Sequence, residues 1–197
     1  AVADFESQTQ ERKFVSEPGA LFGLARAYLR NKNLDRAEQQ LAALRRLKVE
    51  AAMVDTLAAE LRTARGDLPG AVTILRAASA RYPQDRAVAY ALVEALLADH
   101  RPGEALKLAT ADAEGYTTDA RMRHLQAKAY ALLGRRLSEH RTQAEAYVLE
   151  GQLNEAIAQL QFAQQAPDGD FYERSQVDAR LREIKARHAE ELKRKKP

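Results

Sequence analysis

The sequence predicts an all-α fold, a solenoid of antiparallel helix hairpins closed by a C-terminal capping helix. Three observations carry that expectation. Alanine, leucine, arginine and glutamate, all strong helix formers, dominate the 197 residues. Ala37, Ala71 and Ala105 recur at one constant interval in matching contexts, LDRAEQQLAAL, LPGAVTILRAA and RPGEALKLAT. Between them, apolar residues fall at three- and four-residue steps, the pattern of a helix with one buried face.

That interval, about 34 residues, is the period of the tetratricopeptide repeat (TPR), a helix-turn-helix unit. The recurring alanine sits where the second helix of a unit packs closely on the first, which demands a small side chain. Four residues on, a larger apolar group fills the groove, as Leu41 and Leu75 do; Ala109 stands there in the third unit. The first helix of the first unit, FGLARAYLRNKN, offers Leu21, Leu24, Ala25 and Tyr28 as its stripe. The third unit offers Ala89, Leu92, Val93 and Leu96. The second departs, with Asp55 and Arg62 at apolar positions and a shifted stripe of Met53, Leu57 and Leu61. Turn chemistry marks the boundaries. Gly66 follows one helix, Pro69 and Pro102 stand near helix starts, Pro83 follows Tyr82 at the close of the second unit, and Asp67 and Asp85 are expected N-caps.

After Ala105 the strict period fails, because position 139 is Glu. The signal returns at a half period: AKAYALLG (127–134) is answered by AEAYVLEG (144–151), followed by Ala156, Leu160 and Ala163. A helix over 136–150 is therefore expected to close the fourth hairpin and open the next. The last segment starts with a capping box, Asp170 to Glu173, and carries a stripe of Phe171, Val177, Leu181 and Ile184, suited to a cap with one polar face. The resulting division is a joining helix over 1–17, a repeat array over 18–168, and a capping helix with a basic tail over 169–197.

Composition narrows the function. Apolar residues make up 46% and charged residues 30%, the balance of a folded chain. With no cysteine, disulfides, thiol catalysis and thiolate metal sites are excluded. No apolar run approaches the ~20 residues of a membrane-spanning helix. The first residues, AVADFESQTQERKF, lack the apolar core of a signal peptide, and a start inside what reads as a helix suggests a piece of a longer chain. A net charge of +3 is too small to argue for nucleic acid. The basic end, ELKRKKP, has no interleaved aromatic residue and reads as a solubilising helix end that complements the helix dipole.

The search for catalytic chemistry is empty. His100, His124, His140 and His188 stand outside any H-E-x-x-H sequence, so two imidazoles do not flank a carboxylate one helical turn apart. There is no Gly-rich phosphate loop and no G-x-S-x-G elbow. What remains is the concave wall that the first helices of such hairpins line. Counting between the packing positions gives Phe22, Arg26, Leu29 and Arg30, then Thr56, Glu60 and Thr63. The third unit gives Tyr90, Glu94 and Leu97, and the fourth Arg121, His124 and Lys128. Arg26 and Arg30, one turn apart, are spaced to clamp a carboxylate, and Phe22 and Tyr90 to receive apolar anchors.

Two stretches are more specific than a degenerate repeat: the run from Gly134 to Gly151, and GDFYERSQVDARLRE at 169–183. Together with the N-terminal VADFESQ, they resemble the C-terminal region of periplasmic M48-type zinc metallopeptidases of Gram-negative bacteria. The resemblance implies a peptidase domain upstream, holding zinc through its own H-E-x-x-H, against which these repeats pack. It implies periplasmic location, protein or peptide ligands, and contact with the machinery that assembles outer-membrane barrels. No cofactor and no catalytic residue are expected in this chain. The bland alternative is a free-standing repeat adaptor with no enzyme attached.

Overall fold

The computed structural model describes residues 18–111 and 118–194, and all the regular structure among them is helical. The expected joining helix over 1–17 and the end of the basic tail lie outside the described residues. The chain divides into two compact units, Ala1–Asp99 and His100–Pro197. The first contains α1 (Pro18–Arg30), α2 (Leu34–Arg46), α3 (Ala52–Ala64), α4 (Leu68–Arg81) and α5 (Arg86–Ala98). The second contains α6 (Pro102–Ala111), α7 (Ala120–Leu132), α8 (Arg136–Leu149), α9 (Leu153–Gln165) and α10 (Phe171–Arg194). The boundary falls between α5 and α6, the two helices that the repeat period assigns to one hairpin.

In the first unit, α1 pairs with α2 and α3 with α4, while the first helices α1, α3 and α5 lie side by side. Ala37 and Ala71 are fully buried where their hairpins close, with Leu41, Leu44 and Leu75 beside them. Leu24, Ala25, Tyr28, Val54, Leu57 and Ala58 complete the core. The expected caps form: Asp67 accepts from the Gly70 N–H at 2.9 Å, and Asp85 from Ala87 at 2.9 Å and Val88 at 3.2 Å. One expectation for α3 is corrected. Met53 is 56% exposed, and Val54 takes the buried place, in a stripe with Leu57, Ala58 and Leu61. Asp55 forms an ion pair with Arg81 of the paired helix, 3.2 Å from its Oδ2, although that buried oxygen accepts no hydrogen bond among the described residues. Arg62 stays at the surface, facing Asp67 at 3.3 Å.

In the second unit each helix from α6 to α10 packs on the next. Buried Gln126 ties α7 to the end of α6 by donating to the Ala109 carbonyl at 2.6 Å. Helix α8 lies between α7 and α9, and it buries residues on both sides: Leu137, Ser138, Thr142, Ala144 and Ala146. Glu139 is therefore not the failed alanine of a fourth repeat; it leans on Arg136 at 2.8 Å while its neighbours are buried. The buried alanine pattern resumes on α9 with Ala156, Leu160 and Ala163, each at 0% exposure.

The loop before α10 explains the distinctive 168–174 segment. Asp168 accepts from the Leu137 N–H at 3.0 Å, supplying the α8 N-terminus with a cap that its own Arg135 does not give. Gly169 lies so close to Leu137 that a Cβ there would collide with it. Asp170 and Glu173 form the expected reciprocal box, at 2.7 and 3.2 Å, and Arg174 donates to the carbonyls of Ala166 and Gly169. Val177, Leu181 and Ile184 are buried as expected, but Phe171 is 87% exposed, ahead of the first turn that touches the core. Arg180 clasps both carboxylate oxygens of Glu145 on α8, at 2.8 and 2.7 Å, and Glu183 at 2.8 Å; those hydrogen bonds raise its pKa and keep it charged.

The hairpin turns share one backbone device. Lys32, Gly66, His100 and Gly134 all have left-handed φ, at 57°, 81°, 54° and 71°, each one repeat period after the last. Gly151, at 74°, repeats the device after the half step. The next N–H then turns back to the helix, as Asn33 does to the Tyr28 carbonyl at 2.9 Å and Arg135 to Tyr130 at 3.0 Å.

Candidate functional site

The wall formed by α1, α3 and α5 in the first unit holds a groove of about 490 Å³. It follows the C-terminal halves of the three helices. Its floor is Ala59, Ala64, Ala91, Ala95 and Ala98 with Leu29, and the small side chains there leave the space. Thr56, Glu60, Thr63 and Glu94 add polar groups, while Arg30 and Lys32 stand on the α1 edge.

Six of the residues expected on the inner wall, Leu29, Arg30, Thr56, Glu60, Thr63 and Glu94, thus meet in one groove. The expected clamp of Arg26 with Arg30 is not what the geometry shows. Arg26 donates to both carboxylate oxygens of Glu60 at 2.7 Å, a rung between two first helices one repeat apart. Both partners are 46% exposed, so the pair orders the wall more than it stabilises it. Arg30 has no ion-pair partner among the described residues. Phe22 is partly buried against the core of the first unit, packing with Leu24 and its neighbours, so it is not an open anchor. Tyr90 and Leu97 are half-buried on α5 and do not line the groove.

The remaining three expected residues belong to α7, in the second unit. Arg121 is exposed. His124 is fastened to α8: the Gln143 amide donates to Nδ1 at 2.8 Å, and Nε2 donates to Glu150 at 2.9 Å. Tyr147 meets its ring edge-on at 5.6 Å. Lys128 lines a smaller, polar groove of about 270 Å³ with Glu139, His140, Gln143 and Gln159. Among the described residues no group of three or more His, Asp or Glu is placed to hold a metal ion. No helix among them is long and apolar enough to cross a membrane.

Reading from the first-helix pattern misses Lys32, because it lies in the turn rather than on the helix. It also misses the alanine floor, since Ala91 and Ala98 are indistinguishable in sequence from packing alanines. The even spacing of Lys32, Gly66, His100 and Gly134 is the available signal for the turn.

A tetratricopeptide repeat family profile matches residues 62–129. No curated protein matches the sequence. Among solved structures, a thermophilic TPR protein of Thermus thermophilus superposes with a TM-score of 0.50 at 19% identity, over 91% of this chain and 88% of that one. At that identity the likeness is one of fold. The chain thus contains a tetratricopeptide repeat region within an all-helical TPR fold, and such a repeat suggests protein–protein interaction.

Proposed function

We propose that the chain is the protein-interaction module of a periplasmic M48-type zinc metallopeptidase, similar to the β-barrel assembly-enhancing protease. In this reading it binds substrates or outer-membrane assembly partners and docks on a peptidase domain that alone holds the zinc. The observation that carries the binding half is the groove on α1, α3 and α5, where the expected wall residues converge on an alanine floor. The resemblance of residues 134–151 and 169–183 supports the peptidase half.

A photoreactive residue at Thr63, exposed on the groove wall, tests both halves in periplasmic extract. Barrel-assembly components or unfolded outer-membrane proteins crosslinked there support a substrate-positioning role. Crosslinks confined to a peptidase domain make the groove a docking surface of the enzyme. Failure to capture either class sinks the periplasmic reading and leaves a free-standing adaptor.

A further inference from the structure

Resting on that reading of the groove, we infer that Arg30 and Lys32 form a selectivity lip, which reads an acidic side chain within an extended peptide whose small apolar residues lie on the alanine floor. Three features of the site converge on this. The first is charge. Arg30 and Lys32 stand together on the α1 edge with no ion-pair partner among the described residues. The nearby acids are otherwise engaged: Glu60 is held by both its oxygens to Arg26, and Glu94, on α5, has interactions of its own. A ligand thus meets uncompensated positive charge at this edge only.

The second is backbone. Lys32 occupies the left-handed turn position at φ 57°, which Gly66 and Gly134 fill in two other hairpins and His100 in a third. A lysine there is strained relative to glycine, and the turn gains nothing from its side chain. That side chain lines the groove. The third is shape. Ala59, Ala91 and Ala95 give the floor only small apolar side chains, a surface that alanine- or valine-sized ligand residues can cover. The lip lies at the end of α1 and in its turn, so it faces a side chain hanging over the rim as the peptide passes. Arg26, which would complete a cationic row along α1, is occupied by Glu60.

The test uses the whole chain and three fluorescent decapeptides with an Ala/Val core. One carries a central Glu with an amidated C-terminus, one a central Gln with an amidated C-terminus, and one a central Gln with a free C-terminus. Fluorescence anisotropy is measured against the native chain, Lys32→Gly, Arg30→Ala and the groove-filling Thr63→Trp. The Glu peptide is expected to bind roughly two- to fivefold tighter than either Gln peptide, as an ion pair with the exposed Arg30 and Lys32 allows. Lys32→Gly is expected to erase that preference while raising the thermal midpoint, because the strain is relieved. Equal binding of all three peptides, each lost in Thr63→Trp, overturns the lip and preserves the groove. Preference for the free C-terminus overturns the internal side chain as the ligand. Binding indifferent to Thr63→Trp overturns the groove itself.

Discussion

Replacing Gly134 by alanine isolates the backbone contribution in the hairpin turn. A Cβ built at Gly134 meets nothing within 4 Å, so the substitution brings no steric collision. What it brings is an L-residue at φ 71°. The left-handed conformation costs such a residue about 1–2 kcal/mol. Alanine also narrows the unfolded ensemble, which returns about 0.4–1 kcal/mol. The net expectation is a loss of up to about 1.6 kcal/mol, centred on about 0.8 kcal/mol. Gly103 is the control. It lies in α6 with nothing within 4 Å of its Cβ and without a positive φ, so only the favourable contribution applies. Gly103→Ala is expected to stabilise by about 0.4–1 kcal/mol. Urea unfolding followed by circular dichroism measures both, and the two changes must not share a sign. If Gly134→Ala stabilises as Gly103→Ala does, the turn is not held in the left-handed well, and the strain assigned to Lys32 loses its footing too.

Further expectations concern the docking of α10. Glu145→Gln leaves Arg180 without its two-point partner at a site about a third exposed; a loss of about 1 kcal/mol is expected after allowing for solvent screening, read as a lower urea midpoint at unchanged slope. Asp170→Ala removes the cap on the Glu173 N–H and should cost about 1 kcal/mol; hydrogen exchange should quicken in the first turn of α10, and unaltered protection there would show that the box does not hold that turn.

The hairpins are legible in the sequence wherever a small residue has to be buried. Ala37, Ala71 and Ala105 stand out because close helix packing admits little else, and the Asp67, Asp85 and Asp170 caps because an orphan N–H needs an acceptor. Legibility ends where one helix serves two neighbours. On α8 no single stripe exists, because its buried residues, from Leu137 and Ser138 to Ala144 and Ala146, are shared between two contacts, and Glu139 reads as a failed repeat. Met53 and Phe171 mislead for another reason. Met53 lies just outside a stripe that runs through its neighbour Val54, and Phe171 stands six residues ahead of Val177, the first buried residue of its helix, so periodicity assigns burial that the packing does not deliver. The groove is half legible: charged and polar wall residues follow from counting along first helices, but whether a cation is open or already paired depends on a helix one repeat away, as Arg26 and Glu60 show.

His124 and Lys128 make the same point on one helix and can be separated by experiment. Counting places both on the concave wall, one turn apart on α7, and a binding assay alone would treat them alike. Their surroundings differ. His124 has each ring nitrogen in a hydrogen bond to α8 or its C-cap, through Gln143 and Glu150, and its ring meets Tyr147. Lys128 is exposed at the edge of the smaller groove. With the His124 side chain 28% exposed, each lost hydrogen bond is discounted toward the lower end of the usual range of about 0.5–1.5 kcal/mol, giving about 1–2 kcal/mol for His124→Ala together with the ring contact. Lys128→Ala should fall within about 0.5 kcal/mol of the native chain. Loss of partner binding in His124→Ala therefore reports on the α7–α8 hairpin, and only Lys128→Ala reads the wall. Equal stability of the two variants in urea would mean that His124 is not a fastening of that hairpin and returns it to the binding surface.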